Sequence, residues 1–140
     1  MLTESDIARI SGRIVDVYSP LAVGSFGSYA IGSPHEKSDL DLFVIKRISQ
    51  RPEATVHAVR SLLVDVFHPK DIRVFTASEF EGTVYEYLSF TWVVARQARL
   101  YHWTEEAAFR VPSLLPRALG IDRDRNEIRK GASWICPSDM

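Results

Sequence analysis

The chain has 140 residues, of which 46% are hydrophobic, and this is enough apolar material to build a folded core. Its 17 Lys and Arg nearly balance 18 Asp and Glu, so the overall charge gives no argument for binding nucleic acid or an acidic membrane surface. The single Cys cannot form an internal disulfide, and the apolar runs are far too short to cross a bilayer. We therefore expect a cytoplasmic protein with no membrane or nucleic-acid partner; an oligomer is compatible with the sequence.

Helix and strand patterns alternate in the first part of the chain. Apolar residues at steps of three and four predict a helix over residues 3–18, with Thr3 as its N-cap. A short strand is predicted at 21–23, followed by a loop of small residues at 24–28 that opens a short helix. After a polar turn, the pattern predicts a strand over residues 39–45.

The alternation continues in the middle of the chain. A helix is predicted over residues 52–67, a strand over 71–75 and a final strand over 98–101. Two capping boxes lie between these strands, Thr76 with Glu79 and Thr83 with Glu86, and the second predicts a helix that continues to residue 94. The order of elements predicts an α+β fold, with a mixed sheet of about four strands and helices packed on it.

The pattern weakens after residue 102. A short helix is predicted at 105–109, but residues 111–140 are rich in Pro and charge and show no apolar stripe, which favours a mobile tail. We therefore divide the chain into a domain at 1–102 and a C-terminal extension at 103–140, irregular or partly helical.

The most informative motif is Gly27-Ser28 followed, after ten residues, by Asp39-Leu40-Asp41. Residues i and i+2 of a strand share a face, so Asp39 and Asp41 would present two carboxylates side by side while Leu40 faces the core. Two adjacent carboxylates repel unless a cation lies between them, and Mg²⁺ is typically held by carboxylates together with substrate phosphates. Backbone N–H groups at the start of the helix, with the Ser28 hydroxyl, are suited to binding a phosphate.

A phosphate-binding loop before a carboxylate pair indicates phosphoryl or nucleotidyl transfer, in which two metals about 3.5–4 Å apart activate the attacking oxygen and hold the leaving group. Two metals need a third carboxylate. Asp71 is the best candidate because it begins a later strand and shares a face with Arg73. On a neighbouring strand it would bridge to a metal and help to deprotonate an acceptor hydroxyl. Asp65 is the rival, but its helical position favours a side chain that faces solvent.

The segments 26–32 and 38–42 resemble the signature of the DNA polymerase beta-type nucleotidyltransferase superfamily, and the chain is most similar to its minimal stand-alone members. The resemblance covers roughly residues 10–101, with 71–75 as the strand of the third carboxylate. It implies a mixed sheet with helices on one side, dependence on Mg²⁺, and ATP or another NTP as the donor. One position differs, because the family commonly has Arg where this chain has Ile31.

Five residues are therefore our candidate site. We expect Asp39, Asp41 and Asp71 to be catalytic and to hold two Mg²⁺ ions, with Gly27 and Ser28 binding the β- and γ-phosphates of the nucleotide. Lys37 and Arg73 are the nearest cations that would replace the Arg missing at position 31.

The resemblance also implies a partner. Many minimal members resemble antitoxins that sit beside a HEPN ribonuclease toxin and attach AMP from ATP to a toxin tyrosine. Our leading hypothesis is therefore transfer of a nucleoside monophosphate, AMP from ATP, to a hydroxyl of a partner protein. One alternative is transfer to a small molecule such as an aminoglycoside, which usually needs an additional helical domain. The other is a module that binds an NTP or a partner with little or no catalysis.

Overall fold

The computed structural model describes residues 1–47 and 52–124. Its helices are α1 (Glu4–Tyr18), α2 (Gly27–Ile31), α3 (Pro52–Leu62), α4 (Ala77–Thr83), α5 (Phe90–Gln97), α6 (Glu105–Arg110) and α7 (Leu115–Asp124). Its strands are β1 (Ala22–Phe26), β2 (Leu40–Lys46), β3 (Lys70–Thr76) and β4 (Arg99–Trp103), and a 3-10 turn at Pro112–Leu114 precedes α7. None of the described helices has the length and apolar character needed to span a membrane.

The four strands form one mixed sheet in the order β3-β2-β1-β4. β1 is antiparallel to both β2 and β4, whereas β2 and β3 are parallel and are joined through α3. This confirms the predicted α+β fold with a four-stranded sheet. The register pairs Asp41 with Phe26 of β1 on one side and with Asp71 of β3 on the other. The C-terminal end of β1 and the N-terminal ends of β2 and β3 therefore lie side by side.

Helices cover both faces of this sheet. Along β2, Leu42 and Val44 pack with residues of α1 and α3, whereas Phe43 and Ile45 pack on the other face with residues of α4 to α7. All four are fully buried, which is the pattern of a strand enclosed from both sides. The family resemblance implied that helices cover only one face of the sheet, and this expectation is wrong for this chain.

Two of the three capping predictions are confirmed. The Thr3 hydroxyl accepts a hydrogen bond from the Asp6 N–H at 3.1 Å, and the Asp6 carboxylate accepts one from the Thr3 N–H at 2.8 Å. Thr76 and Glu79 make the same reciprocal pair at the start of α4. Both helices therefore begin where side chains satisfy backbone N–H groups that have no partner within the helix.

The third capping prediction is wrong. Thr83 is the last residue of α4, and its hydroxyl donates to the Glu79 carbonyl at 3.1 Å instead of opening a new helix. Leu88 has a left-handed backbone with φ of 66°, which interrupts the predicted helix. α5 begins only after Ser89, whose hydroxyl accepts from the Trp92 N–H at 3.1 Å.

β1 is longer than the sequence suggested, because residues 24–26 belong to it and not to the following loop. At Gly24, an added Cβ would lie 2.7 Å from the Phe43 ring and 2.8 Å from the Arg99 carbonyl oxygen. This glycine therefore marks a close approach between neighbouring strands, not a turn. The predicted helix over 52–67 is shorter, since α3 ends at Leu62.

The helix predicted at 105–109 is present as α6. The prediction of a mobile tail is wrong for residues 111–124, which form the 3-10 turn and α7 and contribute to the core. Val111 and Leu114 are fully buried and Ala118 is 4% exposed, all in the same cluster as residues of β1. These three residues are spaced by three and four positions and form an apolar stripe. The stripe is hard to recognise in the sequence because Pro112 and Pro116 lie between its members. The boundary after residue 102 stays a prediction, and this packing favours counting α6 and α7 with the domain. Residues 125–140 lie outside the described residues.

We expect Leu114→Ala to lower the free energy of unfolding by about 2–5 kcal/mol, because it removes a fully buried side chain and leaves a cavity. Leu119→Ala is the matched control, since Leu119 lies in α7 but is 54% exposed. Urea unfolding of both variants measures the difference. Equal and small effects would show that the turn at Pro112–Leu114 does not belong to the core.

Candidate active site

Asp41 and Asp71 are direct neighbours in the parallel ladder between β2 and β3. Adjacent strands lie about 4.8 Å apart, and paired residues point to the same face, so the two carboxylates stand side by side. Leu40 and Leu42 are fully buried on the opposite face, as the alternation predicted. Asp39 immediately precedes β2 and is exposed. The strands that carry Asp41 and Asp71 are therefore adjacent in the sheet, as predicted.

The electrostatics of Asp41 show how closely the three acids influence one another. The pKa of Asp41 is raised to about 6, first by burial and then by the negative charges of Asp71 and Asp39. Arg73 opposes the shift with its positive charge. A carboxyl that two other carboxylates make harder to ionise is a position where a cation would be stabilised.

Arg73 is the cation of this cluster. Its Nε lies 3.2 Å from an Oδ of Asp71, and its guanidinium lies 4.9 Å from the centre of the Phe90 ring. Of the two cations considered as replacements for the family Arg, Arg73 therefore contacts the site, whereas Lys37 is exposed in the preceding turn. Ile31 itself is 58% exposed at the end of α2.

Gly27 is shaped by its contact with Asp41. Its φ is +73°, and an added Cβ would lie 2.3 Å from the Oδ2 atom of Asp41. Its N–H donates to the Gln97 side-chain oxygen at 2.9 Å, so this donor already has a partner. Ser28 follows as the second residue of α2 and is half-buried. The glycine thus leaves room for the carboxylate, and Gln97 of α5 fixes the start of α2.

The turn before Asp39 is held by contacts on both of its sides. His68 Nε2 donates to the Ser38 carbonyl at 3.0 Å, and the Ser38 hydroxyl accepts from the His35 N–H at 2.9 Å. The Leu40 N–H donates to the Pro69 carbonyl at 2.9 Å. The segment before β3 and a hydrogen bond within the turn itself therefore fix the backbone that carries Asp39.

Two residues that fix the site backbone, Gln97 and His68, are not predicted by any sequence pattern. Gln97 lies 70 positions from the glycine it contacts, and His68 lies 30 positions from Ser38. Neither residue has a sequence signal, because both act through a tertiary contact with a backbone atom. Asp65 was set aside as facing solvent, and it pairs with Arg13 at 2.9 Å on the surface between α1 and the end of α3.

The oxygen donors of this cluster fit a hard divalent cation, which prefers carboxylates and substrate phosphates. Within residues 1–47 and 52–124, however, no three His, Cys, Asp or Glu side chains are already arranged as a metal-binding group. Instead, Asp71 is paired with Arg73 at 3.2 Å, and the charges of Asp39 and Asp71 act on Asp41. The acids are thus close enough to interact strongly without forming a preorganised three-ligand cage.

The mixed sheet with Gly27 and Ser28 beside two strand-borne aspartates is the arrangement of a nucleotidyltransferase fold. A family model for the nucleotidyltransferase domain matches residues 7–108. The chain therefore belongs to the nucleotidyltransferase domain family. A search of curated protein sequences gave no significant match.

Similar solved structures come from toxin–antitoxin systems. A toxin–antitoxin structure with AMP-PNP is 15% identical, with a TM-score of 0.54 over 86% of this chain and 90% of that chain. An MntA-HpeT mutant with two aspartates changed to glutamate is 16% identical, with a TM-score of 0.53 over 92% and 98%. A second MntA-HpeT mutant, with a tyrosine changed to alanine, is 17% identical, with a TM-score of 0.52 over 91% and 92%. These likenesses establish the fold.

We expect Gly27→Ala to lower the free energy of unfolding by at least about 1–2 kcal/mol, because its positive φ disfavours a side chain and its Cβ would collide with Asp41. Gly12→Ala in α1 is the control, since nothing lies within 4 Å of its added Cβ. That variant should gain about 0.5–1 kcal/mol, as alanine favours a helix interior. Urea unfolding measures both changes, and a neutral Gly27→Ala would contradict the close contact.

The raised pKa of Asp41 predicts how stability depends on pH. Its ordinary value is 3.8 and its folded value about 6, so between these pH values the folded chain holds a proton that the unfolded chain releases. Stability therefore decreases through this window as pH rises. Asp41→Asn removes the decrease, so its stability relative to the wild type should improve from pH 4 to pH 7, measured by urea unfolding in EDTA.

Asp65→Asn is the control of opposite sign for that experiment. The hydrogen bond from Arg13 lowers the pKa of Asp65, so its ionised form stabilises the fold at neutral pH and this contribution is lost in acid. Relative to the wild type, this variant should lose stability as the pH rises toward 4 from well below 3.8, and it should then stay nearly constant from pH 4 to pH 7. Parallel profiles for the two variants would show that Asp41 is not in a repulsive environment.

Proposed function

We propose that this protein is a Mg²⁺-dependent nucleotidyltransferase that transfers AMP from ATP to a hydroxyl group of a partner protein. The observation that carries the proposal is the pairing of Asp41 with Asp71 in the ladder between β2 and β3, with Gly27 packed against Asp41. Membership of the nucleotidyltransferase domain family supports the reaction class. The metal, the donor and the acceptor are the parts that the proposal adds.

The proposal gives each candidate residue a task. Asp39, Asp41 and Asp71 would hold two Mg²⁺ ions, which supply charge neutralisation for the triphosphate and the developing oxyanion. The Ser28 hydroxyl would donate its one hydrogen to an oxygen of the β- or the γ-phosphate. Because the Gly27 N–H is bonded to Gln97, it joins this binding only if that bond is exchanged for one to phosphate.

The proposed reaction is an attack of the acceptor hydroxyl on the α-phosphate of ATP. The acceptor hydroxyl oxygen forms a bond to the α-phosphorus, and the bond from that phosphorus to the oxygen bridging to the β-phosphate breaks. Pyrophosphate leaves, and the hydroxyl proton passes to the Asp71 carboxylate or to water beside it. The positions of the acids, the hydroxyl donor and the close-packed backbone therefore favour transfer at phosphorus over hydrolysis of another kind of bond.

The similar structures support the donor and the partner. One of them is a toxin–antitoxin structure with AMP-PNP, an ATP analogue, and the others are mutants of the MntA-HpeT pair. We therefore propose a toxin of the HEPN type as the partner and a toxin tyrosine as the acceptor. A cytoplasmic location, where the single cysteine stays reduced, is part of this proposal.

ATP labelled on the α-phosphate tests the reaction. Incubation with Mg²⁺ and a candidate toxin should label the toxin, whereas ATP labelled on the γ-phosphate should not, because only AMP is transferred. We expect Asp39→Asn and Asp41→Asn each to reduce the rate of labelling by roughly a hundredfold or more. Asp65→Asn, a surface carboxylate outside the site, should leave the rate unchanged.

Other outcomes would select the alternatives. Label from the γ-phosphate would indicate a kinase and contradict nucleotidyl transfer. Label on an aminoglycoside but on no protein would indicate a small-molecule transferase. Binding of ATP or toxin without transfer, equal in the wild type and in Asp41→Asn, would indicate a binding module.

A further inference from the structure

β3 has one unpaired edge. It is the terminal strand of the sheet, and among residues 1–47 and 52–124 only β2 pairs with it. A groove of about 450 Å³ runs along this strand and begins at Asp71. An open strand edge carries backbone N–H and C=O groups that an extended segment of another chain can pair with.

The groove wraps around the strand and has two different walls. On the face of α3, its wall includes Val56 and Arg60 together with Val74. On the face of α5, Phe90 joins Arg73, which lies beside Asp71. An extended strand presents alternate side chains to two faces, so its geometry matches both walls at once, whereas a helix would fill only one.

The charges of the groove favour an acidic occupant. Arg60 of α3 is exposed on one wall, and Arg73 is 51% exposed on the other despite its pairing with Asp71. Among the described residues that line the groove, Asp71 is the one acid, and it lies at the end that faces Asp41. A segment with acidic side chains on both faces would therefore meet a guanidinium on each wall.

We propose that the acceptor protein docks through an extended acidic segment that pairs with the free edge of β3 and delivers its hydroxyl to Asp71. This inference rests on the proposed function, because it names the docking site of the acceptor. A hydroxyl-bearing residue opposite Asp71 would point to the same face as both acids of the site. Residues two positions away, about 6.6 Å along a strand, then lie opposite Arg73.

Binding of labelled peptides tests the docking site without requiring any transfer. The probes are fluorescein-labelled peptides in which the two residues on each side of a central Tyr are both Glu, both Gln or both Lys and the outer residues are Thr, so that both faces of the strand carry the tested side chain. We expect the Glu peptide to bind most tightly and the Lys peptide least. Methylation of alternate backbone nitrogens of the Glu peptide should abolish binding, because it removes the donors that pair with β3.

Charge reversal in the protein supplies the matched comparison. Arg60→Glu should weaken binding of the Glu peptide roughly tenfold, because it replaces attraction by repulsion in the groove. Arg9→Glu makes the same change in net charge on α1, outside the groove, and should leave binding unchanged. Amide hydrogen exchange should slow in β3 when the Glu peptide binds but not in β4, the other outer strand of the sheet.

Several results would overturn the inference. These are equal binding of the three peptides, no binding by any of them, equal effects of Arg60→Glu and Arg9→Glu, or protection confined to β4. A rise in the KM for ATP in Arg60→Glu would assign the groove to the nucleotide. Pairing of two β3 edges, seen as a dimer by sedimentation that Arg60→Glu changes, would assign it to a second copy.

The two proposals fail in different ways. If nucleotidyl transfer is wrong, no protein takes up the α-phosphate label, yet peptide binding and its dependence on Arg60 persist. If the docking site is wrong, toxin labelling persists in Arg60→Glu at the wild-type rate, and the peptides do not distinguish the two charge-reversal variants.

Discussion

The repulsion among three carboxylates at the start of β2 and β3 is the constraint on which the rest of the structure depends. Burial and the charges of Asp71 and Asp39 together raise the pKa of Asp41 to about 6. Such an arrangement opposes folding, so it persists only because the surrounding structure determines it from several sides. The apolar packing on both faces of the sheet stabilises the strands that hold these carboxylates together.

β2 is the element that holds the acids in place. Its central residues are fully buried on both faces, and it is paired on both edges, by β1 and by β3. A slip of one residue would exchange the faces of every side chain and turn Asp41 into the apolar layer under α3. Gly27 then allows the carboxylate to approach the start of α2, where Gln97 holds the backbone.

Much of this arrangement could be predicted from local patterns, because the signals lie close together in sequence. The capping box at Thr3 and the alternation around Asp41 each need only a few neighbouring residues, and the place of Asp71 at the start of a strand predicts that it lies beside Asp41. The run of small residues that begins at Gly24 favours a loop, whereas the reason for a glycine at this position is the nearby ring of Phe43. The stripe that includes Leu114 was hidden by proline, and Gln97 acts at a distance that no pattern encodes.

The position of the positive charge shows how this chain differs from the arrangement its family resemblance suggested. An Arg at the position of Ile31 would lie at the end of α2, beside the residues expected to bind phosphate. Here Arg73 lies on β3, where it pairs with Asp71 and reduces the repulsion felt at Asp41. In this chain the cation that contacts the acids therefore lies on β3, on the side where that strand is open, and not at the end of α2. Because one guanidinium both restrains Asp71 and lines the groove, an acidic group that engages Arg73 would weaken its hold on Asp71 and leave that carboxylate freer to bind a cation.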